Sequence, residues 1–207
     1  MACKFSILIC SLIERQSLLD NLMDAFNKQL PDPINIEQEK KSIYGYDYEI
    51  KKCDYGEVEI IICTDSKELS TGTKRNILLD LSSGEYLASF DDDDLPSDCY
   101  IEEIMKGVNS GLDCCSLVGQ LITDYEHPKI FRHSIIYEKY EEINGEFVRF
   151  PNHLNCIKSS IAKQFRFPEI NHGEDFDWAT QIHNSELLKT EYKIEKIIYY
   201  YLYKNKK

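Results

Sequence analysis

Positive charge is scarce in this chain: 24 lysines and arginines face 36 aspartates and glutamates across 207 residues, a formal net charge of −12. Nucleic acid and anionic membrane surfaces both require a basic face, so neither is expected as a general partner, and an anionic substrate would need a bound metal or a few placed cations. A long apolar run is also missing. Phe5 to Ile13, after Lys4, is too short to cross a bilayer, no small-residue cleavage site follows, and Glu14-Arg15 come next, so neither a secretory leader nor an integral membrane segment is expected. The 8 cysteines, Cys3, Cys10, Cys53, Cys63, Cys99, Cys114, Cys115 and Cys156, show no CxxC spacing, and several lie in apolar runs. Buried free thiols suit them better than a disulfide framework, and with them a reducing, cytoplasmic setting for a soluble or peripheral protein. No internal repeat is visible, and low complexity is confined to the tyrosines of the tail.

What is present is the material of one core. At 43% hydrophobic content and 207 residues, a single domain is the expectation. Phe5 to Cys10 is a continuous apolar run, as suits a strand covered on both faces, and Leu18, Leu19, Leu22, Met23 and Phe26 recur at helical spacing within Gln16 to Leu30. Pro31 and Pro33 close that helix, and Asp32 to Gly56 is polar and weakly patterned, so it reads as an excursion from the core. Val58 to Cys63 and Tyr86 to Phe90 repeat the buried-strand pattern. A helix over Lys74 to Leu81, capped from Ser70-Thr71-Gly72-Thr73, and another over Ser97 to Asn109 alternate with them. This alternation predicts an α/β fold with a mostly parallel sheet flanked by helices, and ligands beyond strands that finish at Ser11, Asp65 and Asp91. In the less regular second half, strands are expected over Cys114 to Ile122, Lys129 to Tyr137 and Ile194 to Tyr203, and helices over Ser159 to Phe165 and Asp175 to Leu188.

The densest chemistry lies in Asp91-Asp92-Asp93-Asp94, delivered by the third of these strands just before Leu95-Pro96. Carboxylates this close raise one another's pKa or need a cation among them, and an all-oxygen ligand set favours Mg2+ or Mn2+ over zinc. A solvated acidic turn is the plain alternative. An EF-hand-like calcium loop starting at Asp91 fails because Leu95 and Pro96 hold its fifth and sixth positions.

Gly72-Thr73-Lys74-Arg75-Asn76, Gly84-Glu85-Tyr86-Leu87 and Phe90 to Asp94 follow one another in an order and spacing that resembles the family 2 glycosyltransferases of the GT-A fold. Family strings read G-x-x-x-A-R-N-x-G and G-E-Y-I-x-F-L-D-x-D-D. The opening Ser6 to Ser11 is similar to the family's S-I-I-I-P-T. Further on, His153 to Lys158, Phe167-Pro168-Glu169 and Gly173-Glu174-Asp175-Phe176-Asp177-Trp178 resemble its late acceptor-side motif, so the likeness runs from Phe5 to Ile182. It implies a single GT-A (Rossmann-like) domain. The first half, to about residue 105, would bind a nucleotide-diphosphate-sugar donor, and the second, about 106–207, a carbohydrate or glycoconjugate acceptor, with inversion at the anomeric carbon.

By the resemblance, Asp93 is the direct metal ligand, Asp91 lies by the ribose or the metal, Asp94 holds a ligand or orders the loop, and Asp92, in the motif's variable position beside the donor, is the bystander of the four. A metal there would act as a Lewis acid on the departing diphosphate. Asp65 would accept a hydrogen bond from the nucleobase, Arg75 and Lys74 would lie by the donor phosphates, and Ser11 and Glu14 would border the same site. Asp175 is the candidate general base, Glu174 its rival and Asp177 behind both, since an attacking hydroxyl must lose its proton. The same acids also suit a helix's first turn without any chemistry. His153, ahead of His172, is a candidate to complete the metal shell, although a lone histidine is commonly structural. Trp178, the single tryptophan, offers either a stacking face for an acceptor sugar or a core ring. Cys10, where proline is usual, and Ile77-Leu78, where glycine often follows, depart from the pattern and bear on the nucleobase pocket.

Rival chemistries fit less well. An aspartate-nucleophile phosphatase wants its acidic motif on the first strand, and a sugar nucleotidyltransferase wants a Gly-rich loop there, whereas Ser11-Leu12-Ile13-Glu14 has no glycine. A non-catalytic GT-A-like binding module would keep the fold but lack the metal carboxylates or the base.

Overall fold

The apolar runs become the centre of a sheet. In the computed structural model, which describes residues 2–124 and 126–203, β1 (Phe5–Leu12) runs through the middle of the molecule. A 3-10 turn at Ile13–Arg15 leads into α1 (Gln16–Asn27), whose Leu19, Leu22 and Phe26 are buried. Next come the hairpin β2 (Asn35–Ile43) and β3 (Tyr46–Asp54), then β4 (Val58–Asp65), α2 (Thr71–Leu81), β5 (Tyr86–Asp91), the short β6 (Leu95–Pro96) and α3 (Tyr100–Ser110). The second half adds β7 (Cys114–Cys115), β8 (Leu117–Thr123), β9 (Glu126–His133), β10 (Glu141–Ile143), β11 (Glu146–Arg149) and β12 (Ile157–Lys158). The helices α4 (Ser159–Ala162) and α5 (Glu174–Ser185) follow, with β13 (Glu191–Tyr192) and β14 (Tyr199–Tyr203) last.

β4 and β5 flank β1 in parallel, with Leu12 opposite Asp65 and Cys10 opposite Asp91, so the polar ends of three strands arrive together. Strand alternation sorts the side chains. Ile7, Ile9, Ile60, Ile62, Ala88 and Phe90 face the helices α1 and α3, while Leu8, Ile61 and Leu87 face α2 and α5. Each such fully buried aliphatic side chain stabilises the fold by about 1.5–3 kcal/mol before chain entropy is counted. The α/β architecture with flanking helices is as the alternation predicts, and no helix among the described residues is long and apolar enough to cross a membrane. The eight cysteines are free thiols, of which Cys53, Cys63, Cys114, Cys115 and Cys156 are buried.

Two expectations are corrected. Asp32 to Gly56 is no excursion: β3 pairs antiparallel with β4, Cys53 opposite Ile60, and β2 completes that edge of an eight-stranded sheet. Its pattern was hidden because β2 is an edge strand exposed along most of its length, and a charged edge resists pairing with other chains. The single strand expected over Cys114 to Ile122 divides at Ser116. Cys114 and Cys115 stay in the main sheet, while Leu117 onward joins a second sheet of order β10-β11-β9-β8-β14-β6. Parallel pairing dominates only the centre of the main sheet, where β5, β1 and β4 lie side by side.

Candidate active site

β5 ends in a tight turn, with the Asp94 N–H donating to the Asp91 carbonyl at 3.2 Å, and the turn sends its carboxylates in different directions. Asp91 and Asp93 look outward, 32% and 48% exposed, whereas Asp92 and Asp94 point inward at 2% and 1%. Asp92 accepts from the Ser11 hydroxyl at 2.7 Å and pairs with Arg15 at 2.9 Å; the same guanidinium reaches Asp93 at 2.6 Å. Asp94 accepts from the Tyr199 hydroxyl at 2.6 Å and the Leu202 N–H at 2.9 Å, which fastens β14 to the turn. Burial pushes Asp92 up to about 6 despite Ser11 and Arg15. Burial, aided by the charge of Asp91, pushes Asp94 up to about 8. Asp91 goes the other way: burial works to raise it, but Arg75 and His153 hold its carboxyl well below the usual range.

α2 starts where the Ser70 hydroxyl caps the Thr73 N–H, which sets Lys74 and Arg75 facing the strand ends. Lys74 Nζ lies 2.6 Å from Asp65 and 2.9 Å from the Ser11 carbonyl, and Asp65 also accepts from the Leu69 N–H at 2.8 Å. The structure therefore turns the Asp65 carboxylate toward Lys74, at the edge of a 700 Å³ cleft between α1 and the β2–β3 hairpin. Arg75 bridges Asp91 at 3.0 Å and Glu174 at 3.2 Å; burial opposes its charge, but Asp91 and Glu174 outweigh burial and raise its pKa. Its Nη1 is buried and has no hydrogen-bond partner among the described residues. Glu14 stands apart, exposed and paired with Lys67 at 2.5 Å.

The late motif opens α5 after Gly173. Glu174 is buried against Arg75, while Asp175 is half-buried and faces a 590 Å³ cleft. Buried His153 stands between the two motifs, Nε2 3.5 Å from Asp91 and Nδ1 3.6 Å from Asp175, so that Asp91, His153 and Asp175 form a row. Asp177 lies apart and accepts from Gln181, and His172 borders a different, 380 Å³ cleft. Of the two readings open for Trp178 the core ring is the one observed: it is stacked on Phe167 at 4.8 Å, and its place on α5 faces the sheet. The aromatic rings of the 590 Å³ cleft are instead Phe131, Tyr140, Phe147 and Tyr201, from the second sheet and its approaches, where no motif marks them.

The 380 Å³ cleft is walled by Ser11, Arg15, Lys74, Arg75, Asp91 and Asp93, and the 590 Å³ cleft by Asp91, His153, Asp175, Arg149 and the rings. Asp91 is common to both. The loop ahead of α5 crosses the start of α2, with the Gly72 N–H donating to the Ile170 carbonyl and the Thr71 N–H to Asn171 Oδ1, each at 3.0 Å. Gly72 must be glycine: a Cβ there would come within 1.8 Å of the Pro168 carbonyl oxygen. Asp91 and Asp93 are the two outward carboxylates on one cleft that could offer oxygens to a hard divalent cation, and each is paired with an arginine, Asp91 with Arg75 and Asp93 with Arg15. Among the described residues no group of three ligands is assembled, so water and phosphate oxygens would complete the shell, as is usual for Mg2+. Arg15 and Arg149 escaped the sequence reading; Arg15 alone had a signal, its place directly after the first strand.

No protein-family model matches the chain, and no curated protein matches it in sequence. Solved structures do match. Residues 1–349 of S. aureus TarS superpose with a TM-score of 0.61 at 14% identity, covering 96% of this chain and 60% of that one. A second TarS structure gives 0.57 at 13%, covering 96% and 36%, and TarS 1–349 in complex with UDP-GlcNAc gives 0.57 at 12%, covering 99% and 60%. The chain thus spans 60% or less of the length of these structures. At such identities the likeness is one of fold: the chain shares the GT-A-like α/β fold of these structures.

Proposed function

We propose that the chain is a metal-assisted glycosyltransferase of the family 2 type, moving a sugar from a nucleotide-diphosphate-sugar to an acceptor hydroxyl with inversion. The observation that carries this reading is Asp91, shared by two clefts, with His153 and Asp175 in a row behind it in the larger one. A single in-line displacement needs leaving group and nucleophile on opposite sides of one carbon, and two clefts meeting at one carboxylate offer that arrangement. In this reading the first half binds the donor, with its diphosphate in the 380 Å³ cleft near Arg15, Lys74 and Arg75. Asp91 and Asp93 would hold the divalent cation, which when bound supplies Lewis-acid stabilisation of the departing diphosphate. Asp175 takes the proton of the acceptor hydroxyl, and His153, whose Nδ1 lies 3.6 Å from the Asp175 carboxylate without a hydrogen-bond partner among the described residues, stands beside it in the same cleft. Glu174, tied to Arg75, anchors α5 to α2. That TarS has been solved with UDP-GlcNAc and with UDP supports a nucleotide-sugar donor.

The test is a panel of nucleotide sugars read by released nucleoside diphosphate, with and without chelator. Turnover that needs Mg2+ or Mn2+, is lost in folded Asp93→Asn, and gives a product anomer opposite to the donor by NMR is the expected outcome. Full activity in excess chelator removes the metal, a retained anomer removes the single displacement, and nucleotide binding without turnover on any acceptor favours the binding module.

A further inference from the structure

Arg149 ends β11 in the wall of the 590 Å³ cleft, and its partner is of an unusual kind. Its Nε donates at 2.6 Å to Nε2 of His133, the residue opposite it in β9. His133 is fully buried, and its Nδ1 lies 3.0 Å from Asn155 Oδ1, an oxygen that also accepts the Asn152 N–H at 3.0 Å. An amide oxygen can only accept, so the network puts the imidazole proton on Nδ1 and leaves Nε2 as the acceptor for Arg149. Burial and the charge of Arg149 hold His133 well below its usual pKa, so the ring is neutral.

The cations of the other cleft all answer carboxylates: Lys74 to Asp65, Arg75 to Asp91 and Glu174, Arg15 to Asp92 and Asp93. Arg149 answers a neutral ring, lies 5.0 Å from the centre of the Tyr140 ring, and among the described residues has no carboxylate ion pair. Of the acids on the same cleft, Glu142 is matched by Lys129 at 2.8 Å, Glu141 by Lys139 at 3.2 Å and Asp91 by Arg75, while Asp175 faces His153 at 3.6 Å and, among the described residues, forms no ion pair with Arg149. An oriented guanidinium with no counter-charge of its own is what a planar anion is recognised by.

We infer that Arg149, held in place by His133 and Asn155, is the recognition point for an anionic group, a phosphate or carboxylate, carried by the acceptor. This rests on the reading of the 590 Å³ cleft as the acceptor site. The experiment measures binding of glucose, glucose 6-phosphate, glucuronate and UDP by calorimetry at low salt, to the wild type, Arg149→Gln and Arg149→Lys. The two anionic sugars should bind on the order of tenfold tighter than glucose, the scale of one charged hydrogen-bonded contact. Arg149→Gln should erase that preference, Arg149→Lys should keep part of it, and UDP affinity should be the same in all three. Equal binding of charged and neutral sugars to the wild type, none included, overturns the inference, as does a preference that survives Arg149→Gln. If Arg149→Gln weakens UDP instead, the anion belongs to the donor and the inference also falls. UDP binding by the wild type is judged separately: its absence sinks the glycosyltransferase reading while a charge-selective Arg149 would stand.

Discussion

The 380 Å³ cleft and the 590 Å³ cleft share Asp91 but are built differently. The smaller is lined by strand ends and the start of α2, where charge is locked in desolvated pairs such as Lys74–Asp65, 5% and 0% exposed. The larger is lined by the second sheet, where pairs such as Lys129–Glu142 are 36% and 49% exposed. Breaking a buried pair leaves a charge stranded, whereas breaking an exposed one leaves both partners in water. One wall is therefore rigid and suited to a ligand of fixed shape, and the other can yield.

The sharpest attack on this contrast is Asp175→Asn. Transfer should fall about 10²–10⁴-fold, the usual worth of a positioned base, while UDP affinity stays put because the change lies in the other cleft. A parallel loss of UDP binding, measured by calorimetry, would merge the two clefts into one site. Next, Lys74→Met should destabilise the fold by about 3–5 kcal/mol in urea titration, since Asp65 would be left buried and unpaired. Adding Asp65→Leu should recover most of that; no recovery would mean that Lys74 acts through something other than the pair.

A pH scan tests the same rigidity from the tetrad. Asp94 is raised by burial from 3.8 to about 8, so the fold favours its protonated form. The stability this contributes is fully present below the unfolded value and is lost as pH rises through the folded one. Tm should therefore decline between about pH 4 and pH 8, the interval spanned by that shift, and Asp94→Asn should flatten the decline. An unchanged slope would place the titration elsewhere. The smallest effect belongs to the larger cleft: Lys129→Ala should cost no more than about 1 kcal/mol, and a cost comparable with Lys74→Met would erase the difference between the walls.

The same contrast decides what could be read in advance. β1, β4 and β5 are covered on both faces, so their apolar runs are continuous, and the cap at Ser70 and the acids of Asp91 to Asp94 are local in sequence. Tertiary partners are not. That Arg15 would span Asp92 and Asp93, that Arg75 would join Asp91 to Glu174, and that His133 would hold Arg149 are facts of pairing across the fold. β2 carries no such pattern because an edge strand need not bury a face, and the spacing of α5 does not say which neighbour the Trp178 ring meets.

Gly72 gives the contrast a consequence for any attempt to retune this molecule. With no room for even a methyl group, the loop before α5 sits directly on the backbone of α2, and the Arg75–Glu174 pair bolts the same two helices a turn further on. In the proposed reading, the cradle for the donor and the mount for the proton acceptor are therefore one piece of hardware. A substitution that shifts α2 to admit a different sugar nucleotide would drag Asp175 with it, so donor preference and catalytic alignment will trade against each other. The β10–β11 hairpin meets the same helix through rings at its two ends, Tyr140 against Phe176 at 5.3 Å and Phe150 stacked on His183 at 4.3 Å, so in the proposed reading a changed acceptor pocket would also be felt at the helix that carries Asp175.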